Sequence, residues 1–279
     1  MGGGLAAQLI AGGKQLVCFD PDPESLDKMR ALGAKGAKSP SALARVTEII
    51  ILSLPKAEVV DAVIRDIVSD IRPGAIVLDT STSEPATSRS LASLGTTHGF
   101  VFVDGPVSGG PAAAHSGTMT MLLGGEIAAI ERLAPVLDII TAKTVVVGGS
   151  GAGHAAKIAN NMLCAANLVL VDEAVRLGQA AGVAPEALLE GINAGSGRSG
   201  VSEVNYPKWI LNAAFDSGFT MGLMRKDVRL ALDLAKTTGV DLGSFAQIAD
   251  IWLNASKDVP DNADFNEIVS HKEKVVDGV

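Results

Sequence analysis

The segment TVVVGGSGAGHAAKIANNMLCAANLVLVDEAVRLGQAA, residues 144–181, contains the change of pattern that decides the fold. It begins with the short apolar run Thr144–Val147 and passes through the glycine-rich run Gly148–Gly153. From Ala155 to Ala181 it continues with Ala, Leu, Val and Asn at helical periodicity, which predicts one long helix buried around much of its circumference. We therefore place a boundary between two structural classes at the glycine-rich run.

The chain before the glycine-rich run alternates apolar runs with amphipathic segments. Runs rich in Val and Ile that end in turn residues predict buried strands, and the segments between them predict helices. Continuous apolar strands alternating with helices are typical of a parallel sheet covered on both faces. The predicted strands are Gln15–Phe19, Ile49–Leu54, Ala75–Leu78, Phe100–Val103, Met119–Leu123 and Thr144–Val147. The predicted helices include Glu24–Leu32, Glu58–Asp70 and Ser83–Leu94.

The chain after the glycine-rich run is predicted to be entirely helical. It shows no strand-like alternation, and Pro185 suits the first turn of a helix. The predicted helices after the long one are Pro185–Ile192, Tyr206–Leu211, Met224–Thr237 and Phe245–Ser256. The sequence thus predicts an α/β domain over residues 1–150 and an all-helical domain over residues 151–279, entered through the long helix.

Composition and charge exclude several classes of protein. The 279 residues are 47% apolar and 19% charged, which excludes a disordered chain. Two cysteines exclude a disulfide scaffold and a cysteine-rich metal site, and the four histidines lack metal-ligand spacing. A net charge of −8 argues against nucleic acid or an anionic membrane as a partner. No stretch approaches ~18 uncharged apolar residues and no secretory leader is visible, so we expect a cytoplasmic protein without a membrane span.

The N-terminal segment matches the second half of a dinucleotide-binding motif, which consists of a strand, a G-x-G-x-x-G turn, a helix, a second strand and an acidic residue. Here Gly2–Ile10 predicts the helix, Gln15–Phe19 the second strand, and Asp20 is the acidic residue. The first strand and the first two glycines are absent. If Gly2 is the third glycine, we expect the natural chain to start upstream, with Met1 an internal methionine. The alternative is a glycine-rich N-terminal tail.

Asp20 bears on the choice of dinucleotide. At the end of the second strand its carboxylate can accept hydrogen bonds from the adenosine ribose hydroxyls. A 2′-phosphate there would face Asp20 and Asp22, with no Arg or Lys before Lys28, so NAD is favoured over NADP. The alternative is that Asp20 is only a turn or helix N-cap residue, because DPDP is rich in turn formers.

Four further motifs follow in order along the chain. They are DTST (Asp79–Thr82), DGPVSGGP (Asp104–Pro111) followed by GTMT (Gly117–Thr120), GAGHAAKIANN (Gly151–Asn161), and a segment ending in MRKD (Phe219–Asp227). They resemble the cofactor-side, substrate-binding, catalytic and second-lysine segments of the β-hydroxyacid dehydrogenase family. That family includes 3-hydroxyisobutyrate dehydrogenase, tartronate semialdehyde reductase and, more distantly, 6-phosphogluconate dehydrogenase. The resemblance covers the whole chain and implies a Rossmann-type NAD(P)-binding domain that interconverts a small β-hydroxy acid and its semialdehyde or keto acid.

The resemblance identifies Lys157 as the catalytic residue. Dehydrogenation of a hydroxyl needs a base for the O–H proton and an acceptor for the hydride. Lys157 lies early on the long helix and can act as a base only if its pKa falls. Partial burial and the positive charges of Lys226 and oxidised nicotinamide would lower that pKa. In the reverse direction the ammonium would protonate and polarise the carbonyl. The alternative for Lys157 alone is a solvated helix lysine.

The substrate is expected to contact three places. Ser108, Gly109 and Gly110 offer a hydroxyl and successive backbone N–H groups that suit a carboxylate, or else they form an ordinary tight turn. Asn161 lies one helical turn after the lysine and can hold the substrate hydroxyl or carboxylate. Arg198 lies in a GSGRS loop similar to one in the family's 2-(hydroxymethyl)glutarate dehydrogenase. There it could bind a second carboxylate, or the loop could only cap a helix.

The cofactor-binding residues are expected mainly at strand ends. Leu54, Pro55 and Thr82 lie where open α/β sheets bind their ligands, and Gly2 belongs to the half-motif described above. The resemblance implies that Lys226 lies near the nicotinamide or the substrate carboxylate, whereas taken alone it could be a surface lysine.

Two other functions stay open on the sequence. An imine reductase would share the fold, although members of that type generally lack the lysine. A non-catalytic scaffold is the other, because the phosphate-binding motif is incomplete. The apolar helical domain predicts a homodimer or homotetramer in any case. We interpret His154 as a loop residue, and Cys18 and Cys164 as inert core thiols. The motifs do not identify the hydroxy acid.

Overall fold

The computed structural model describes residues 1–271, in two units, Met1–Lys157 and the part that begins at Ile158. The strands, all in the first unit, are β1 (Val17–Cys18), β2 (Lys35–Gly36), β3 (Ile49–Leu52), β4 (Ile76–Asp79), β5 (Val101–Asp104), β6 (Val107–Ser108), β7 (Met119–Gly124) and β8 (Thr141–Gly148). Its helices are α1 (Gly2–Ala11), α2 (Pro23–Ala31), α3 (Pro40–Ala44), α4 (Ala57–Ile67), α5 (Pro85–His98), α6 (Gly110–Ser116) and α7 (Ile127–Ile140). Helix α8 (Ala152–Ala180) continues from this unit into the second.

Six strands form one mixed sheet in the order β3-β4-β5-β7-β6, with β8 paired to β7. Strands β3, β4 and β5 are parallel, but β7 runs antiparallel to both β5 and β6 and parallel to β8. The prediction of an all-parallel sheet is therefore wrong at β7. A strand buried on both faces is a continuous apolar run in either direction, so the sequence pattern that revealed β7 carried no information about its direction.

The two strands nearest the N-terminus lie outside this sheet. Among the described residues, β1 pairs in parallel with β2 as a separate two-stranded sheet, while β3 forms the edge of the six-stranded sheet beside β4. Strands β1 and β3 are therefore not neighbours in one hydrogen-bonded ladder. The predicted helix at the N-terminus is present as α1.

Helices cover both faces of the six-stranded sheet, as predicted. The central strand β4 is fully buried, and its alternate residues point to opposite faces. Ile76 and Leu78 pack in the cluster formed with α1, α6 and α7, whereas Val77 packs in the cluster formed with α4 and α5. Each fully buried side chain of this size contributes about 1.5–3 kcal/mol to stability, so β4 is a firm base for the polar residues that follow it.

The second unit is helical, as predicted. It contains the rest of α8 together with α9 (Pro185–Ala194), a π-helical segment (Val201–Ile210), α10 (Met221–Thr238), α11 (Gly243–Asn254) and two short 3₁₀ segments (Ala255–Lys257 and Phe265–Ser270). The predicted α-helix Tyr206–Leu211 is instead part of the π-helical segment. Pro207 lies inside that segment and has no N–H to donate, so a regular α-helix is disfavoured there.

Helix α8 begins at Ala152, three residues before the predicted start, because Gly153 is helical. By length and composition it is long and apolar enough to cross a membrane, which corrects the expectation that no stretch approaches a span. Its residues Ala165 and Leu168 are fully buried in the second unit, where Trp252 Nε1 donates a hydrogen bond to Ala165 O at 3.1 Å. A core helix of this length meets the same criteria, so composition alone is weak support for a membrane location.

Candidate active site

A lysine and a serine meet near the start of α8. Lys157 is only 6% exposed, and its Nζ donates a hydrogen bond to Ser108 Oγ at 2.7 Å. Ser108 ends β6, and Gly109 and Gly110 follow with φ angles of +124° and +69°, which glycine adopts without strain. A Cβ on Gly109 would also lie 2.5 Å from Ala113 Cβ. The structure thus brings the predicted SGG segment to a buried lysine, whose role as the catalytic group stays a prediction.

The start of α8 is fixed by two glycines and one aspartate. Gly151 precedes the helix with φ +87°, and Gly153 packs so closely that a Cβ would lie 2.4 Å from Leu122 O. The buried Asp104 carboxylate accepts hydrogen bonds from Gly151 N at 2.6 Å and from His154 N at 3.0 Å. N–H groups in the first turn of a helix have no partner within the helix, so the aspartate caps it. These contacts explain in physical terms why two glycines precede the lysine.

His154 is a fully buried helix residue, so its interpretation as a loop residue is wrong. Its Nε2 lies 3.0 Å from Ser81 O and its Nδ1 lies 2.7 Å from Ser88 Oγ. Because a carbonyl oxygen can only accept, Nε2 carries the proton and Nδ1 accepts from the serine hydroxyl in the neutral ring. The histidine therefore ties α8 to the turn after β4 and to α5.

Asp79, at the end of β4, lies beside this histidine. Its Oδ1 accepts a hydrogen bond from Ser81 N at 3.0 Å, and its Oδ2 lies 3.7 Å from His154 Nε2. Oδ2 has no hydrogen-bond partner among the described residues. Burial raises the pKa of the Asp79 carboxyl, against the opposing effects of His154 and of the hydrogen bonds from Ser81. The DTST motif thus begins with a carboxyl whose charged form is disfavoured.

The predicted cofactor-side residues at the ends of β3 and β4 are joined to each other. Leu54 N donates a hydrogen bond to Ser81 Oγ at 2.9 Å, which links the Leu54-Pro55 turn to the turn that contains Thr82. At the start of α1, a Cβ on Gly2 would lie 3.1 Å from Ser53 Cβ. The structure therefore brings the N-terminus of α1 and the turns after β3 and β4 together.

Asp20 follows β1 and is exposed. Its Oδ1 accepts a hydrogen bond from Asp22 N at 2.9 Å, as in a turn. The N-cap of α2 is Asp22 rather than Asp20, because Asp22 accepts from Glu24 N and Ser25 N, both at 3.2 Å. The Ser25 hydroxyl and the Glu24 N–H hold the pKa of Asp22 below its usual value. The N-cap role that was considered for Asp20 therefore belongs to Asp22.

In the second unit, the predicted Asn161 is held by an aspartate. Asn161 is 5% exposed, and its Nδ2 donates to Asp227 Oδ2 at 2.5 Å while its Oδ1 accepts from Asn160 Nδ2 at 3.1 Å. Lys226 Nζ lies 3.4 Å from Asp227 Oδ1, an ion-pair distance, although that oxygen accepts no hydrogen bond from any residue that the structure describes. The buried aspartate therefore orients the asparagine amide and lies beside the second lysine of the motif.

Arg198 lies between α9 and the π-helical segment, and its environment leaves both predicted roles open. Its side chain is 64% exposed, and its Nε lies 3.7 Å from Glu203 Oε1. The loop itself is held by hydrogen bonds between Ser199 and Ser202, and Ser202 Oγ donates to Asn193 Oδ1 at 2.6 Å. The serines therefore make the capping contacts, while the guanidinium faces solvent.

The motifs contain Asp79, Asp104 and Asp227, but their pattern in the sequence predicted no role for them in the site. Each stands at the first or last position of its motif and is nearly or fully buried. The available signal was an acidic residue directly after a predicted buried strand, as at Asp79 and Asp104, since a carboxylate that is buried there must be hydrogen-bonded. Within residues 1–271, no group of three His, Cys, Asp or Glu side chains could hold a metal ion.

Two protein-family models match the chain in succession. The model described as the NAD binding domain of 6-phosphogluconate dehydrogenase matches residues 1–149. The model described as NAD-binding of NADP-dependent 3-hydroxyisobutyrate dehydrogenase matches residues 151–271. Among curated relatives, 2-(hydroxymethyl)glutarate dehydrogenase of Eubacterium barkeri is 34% identical over 255 residues, 90% of this chain and 85% of its own. The NAD-dependent L-serine dehydrogenase of Pseudomonas aeruginosa is 32% identical over 258 residues, 88% of this chain and 86% of its own.

Solved structures show the same fold. The Mycobacterium tuberculosis 3-hydroxyisobutyrate dehydrogenase with L-serine matches with a TM-score of 0.91 at 30% identity, covering 97% of this chain and 94% of that one. An imine reductase from Streptomyces aurantiacus matches with a TM-score of 0.61 at 19% identity, covering 96% of this chain and 95% of that one. At that identity the second likeness concerns the fold alone.

Proposed function

This chain belongs to the β-hydroxyacid dehydrogenase family, and on that premise we propose that Lys157 is its general acid and base. The chain is an NAD-dependent oxidoreductase that acts on the CH–OH group of a small hydroxy acid. The observation that supports the proposal for Lys157 is its hydrogen bond to Ser108 Oγ in a nearly solvent-free position. A proton-transfer group must be held at a defined place in this way.

In the proposed reaction, Lys157 transfers one proton to or from the substrate oxygen. In the oxidative direction, neutral Lys157 takes the proton of the substrate hydroxyl as the C–O bond becomes a carbonyl, and a bound NAD would supply the acceptor for the hydride that leaves the same carbon. In the reductive direction, the Lys157 ammonium returns the proton to the developing alkoxide. Ser108 Oγ keeps Nζ at a fixed position, so that the proton moves over a short, defined distance.

The proposed place of the substrate carboxylate is beside the lysine. We propose that it binds the Ser108 hydroxyl and the backbone N–H groups of Gly109 and Gly110, where α6 begins. N–H groups at a helix start favour an anion. Asn161 is proposed to hold the substrate hydroxyl or carboxylate with an amide that Asp227 orients. Arg198 is proposed to bind a second carboxylate, as on a dicarboxylic substrate.

The residues present fit an NAD molecule. Within residues 1–271 no side chain caps the N-terminus of helix α1, which lies next to Ser53, so its first N–H groups suit the pyrophosphate. The exposed Asp20 suits the adenosine ribose hydroxyls and disfavours a 2′-phosphate, so we propose NAD rather than NADP. Gly2, Leu54, Pro55 and Thr82 are the proposed contacts on the side of the β3 and β4 turns. Lys226 is the proposed contact from the second unit.

The test is reduction of NAD by the chain with L-serine, 3-hydroxyisobutyrate and 2-(hydroxymethyl)glutarate. We expect Lys157→Ala to lower kcat by about 10²–10⁴-fold, because that is the usual contribution of a general base. Lys143→Ala, a change of an exposed lysine on β8, is the matched control and should retain wild-type kcat. Retained activity of the Lys157→Ala variant would overturn the assignment.

An imine reductase is the alternative within the same fold. The buried Lys157 argues against it, because a lysine is generally lacking in proteins of that type. Reduction of a cyclic imine by the chain with NADPH or NADH, with no reaction on the hydroxy acids, would favour the alternative. A non-catalytic scaffold would show neither reaction while still quenching its tryptophan fluorescence on NAD addition.

We propose that the chain forms a homodimer or homotetramer through α8. Leu163, Leu170 and Leu177, which we call the α8 leucine stripe, are 58%, 52% and 73% exposed and recur every seven residues. Residues at that spacing lie on one face of a helix, and an exposed apolar face of this kind favours a partner. The expected cytoplasmic localisation and the domain boundary at residue 150 stay predictions.

A further inference from the structure

We propose that Asp104 is a positioning residue for Lys157, holding the first turn of α8 and the serine that binds the lysine in one fixed arrangement. The inference rests on the proposed role of Lys157 as general acid and base. Asp104 contacts neither substrate nor cofactor in this proposal; it acts through the lysine.

Both oxygens of the Asp104 carboxylate are used by the same helix turn. Oδ1 accepts from Gly151 N at 2.6 Å and Oδ2 accepts from His154 N at 3.0 Å. Asp104 is fully buried, and its charge faces the positive end of the helix dipole. Charge-assisted hydrogen bonds of this kind are stronger than neutral ones, so the start of α8 is held firmly against the end of β5.

The same aspartate is connected to the lysine's partner through its own chain. Asp104 ends β5, and Ser108 follows four residues later on β6. Lys157 lies three residues after His154 on α8 and donates to Ser108 Oγ at 2.7 Å. Asp104, His154, Lys157 and Ser108 therefore form a closed ring of hydrogen bonds and short chain segments, in which a shift of α8 would separate Nζ from Oγ.

The surrounding backbone leaves the carboxylate no room to move. A Cβ on Gly124 would lie 2.7 Å from Asp104 Oδ2, and a Cβ on Gly153 would lie 2.8 Å from the same oxygen. Helix α8 and strand β7 thus approach the carboxylate at glycines on both sides. A change of about 1 Å in the place of a reacting group can lower a rate 10²-fold, so this tight fit matters for catalysis.

The decisive experiment is a double-mutant cycle on kcat. In the wild-type background, Asp104→Asn should lower kcat about 30-fold with the KM values for hydroxy acid and NAD changed by less than about 3-fold. In a Ser108→Ala background, the same change should lower kcat by about 3-fold or less, because the contact that Asp104 supports is already lost. Equal fold-changes in the two backgrounds would overturn the proposal.

Asp264→Asn is the matched control, because Asp264 is also buried and caps a helical segment, in the second unit. It should lower the melting temperature while kcat stays at the wild-type value. Gly124→Ala is the second variant, in case Asp104→Asn does not fold. Its added methyl would lie 2.7 Å from both Asp104 Oδ2 and Gly153 N, so it displaces the carboxylate and the start of α8 while the charge remains. We expect the same loss of kcat and the same coupling to Ser108→Ala.

A second readout does not depend on turnover. Acetylation of Lys157 by acetic anhydride, followed by peptide mass spectrometry, should be several-fold faster in Asp104→Asn than in the wild type, and unchanged in Asp264→Asn. If wild-type enzyme reduces NAD with none of the hydroxy acids, the proposed function fails, and the acetylation rates alone decide the positioning. Wild-type acetylation rates in both Asp104→Asn and Gly124→Ala would overturn it.

Discussion

Arg198 shows how much an arginine in a short loop pattern indicates about its own role. The GSGRS pattern pointed equally to carboxylate binding and to helix capping; in the structure serines of the loop make the capping hydrogen bonds, and carboxylate binding by Arg198 stays a prediction. Ser199 and Ser202 make the capping hydrogen bonds, which leaves the guanidinium exposed, 3.7 Å from Glu203. A flexible surface ion pair at that distance contributes little, so Arg198 can exchange Glu203 for a substrate carboxylate at small cost.

We predict that Arg198→Ala discriminates between substrates. The KM for 2-(hydroxymethyl)glutarate should rise about 10–100-fold, since a charged hydrogen bond is worth about 1.5–3 kcal/mol, while the KM for L-serine should change less than about 2-fold. Arg176→Ala, which removes an exposed arginine from α8, is the control and should affect neither. Equal KM changes for both substrates in steady-state assays would contradict the role of Arg198.

Folding disfavours the ionised form of the Asp79 carboxyl. Burial raises its pKa, so the folded state holds the proton more tightly than the unfolded state does. Its contribution to stability is therefore fully present below the unfolded pKa and is lost as pH rises through the higher folded pKa. We predict that Asp79→Asn removes this decline. Urea denaturation between about pH 4 and about pH 8 should show a free energy of unfolding that falls less with rising pH in the variant.

Asp70 supplies the control of opposite sign. Hydrogen bonds from Arg45 and Ser41 lower the pKa of its half-buried carboxyl, so its contribution is present above the unfolded pKa and is lost as pH falls. Asp70→Asn should therefore lose less stability than the wild type as pH falls below about 4, which is opposite in sign to the change in Asp79→Asn, so the urea series for this control extends to lower pH. Identical pH slopes in the wild type and Asp79→Asn would contradict the raised pKa.

At the scale of elements, apolar patterning predicted where strands and helices occur but little about their geometry. The run Met119–Leu123 predicted β7 almost to its ends, yet its antiparallel direction depends on the short return through β6 and α6. The π-helical segment could not be predicted from apolar patterning for a similar reason, because its geometry depends on how the helix accommodates Pro207. Strands of two residues, such as β2 and β6, are too short to leave a periodic signal.

Two helical glycines should respond in opposite ways to the same substitution. A Cβ on Gly153 would lie 2.4 Å from Leu122 O and 2.8 Å from Asp104 O, which are backbone atoms that cannot yield, whereas a Cβ on Gly191 in α9 would meet nothing within 4 Å. We predict that Gly153→Ala lowers the free energy of unfolding by about 1–3 kcal/mol through overpacking. Gly191→Ala should raise it by roughly 0.4–1 kcal/mol, because alanine favours the helix and restricts the unfolded chain.

Chemical denaturation of both variants beside the wild type tests this pair. Gly153→Ala should also lower kcat, since α8 can admit the methyl only by moving away from β7 and Asp104. A stabilised Gly153→Ala variant would mean that the start of α8 is not held as tightly as these distances require.

At the scale of the whole molecule, the order of motifs predicted the function, and hydrogen bonds within each unit showed which side chains hold the candidate residues. Lys157, Ser108 and Asn161 were predicted from motifs that follow one another along the chain. The aspartates that hold the start of α8 and orient Asn161 became visible only through hydrogen bonds between residues 47 to 66 positions apart. Such contacts are products of the tertiary fold, and one sequence shows no trace of which residues they join.

The exposed leucines of α8 also predict that copies of this chain associate with one another. Because the α8 leucine stripe leaves three large apolar side chains exposed on one face, we predict a dimer or tetramer in solution, and a charge in the stripe should weaken it. Size-exclusion chromatography with light scattering should show a smaller species for Leu170→Glu at micromolar concentration. Val240→Glu, at a residue that is 57% exposed outside the stripe, should keep the wild-type mass. A monomeric wild type, or an unchanged mass for Leu170→Glu, would exclude the stripe as the interface.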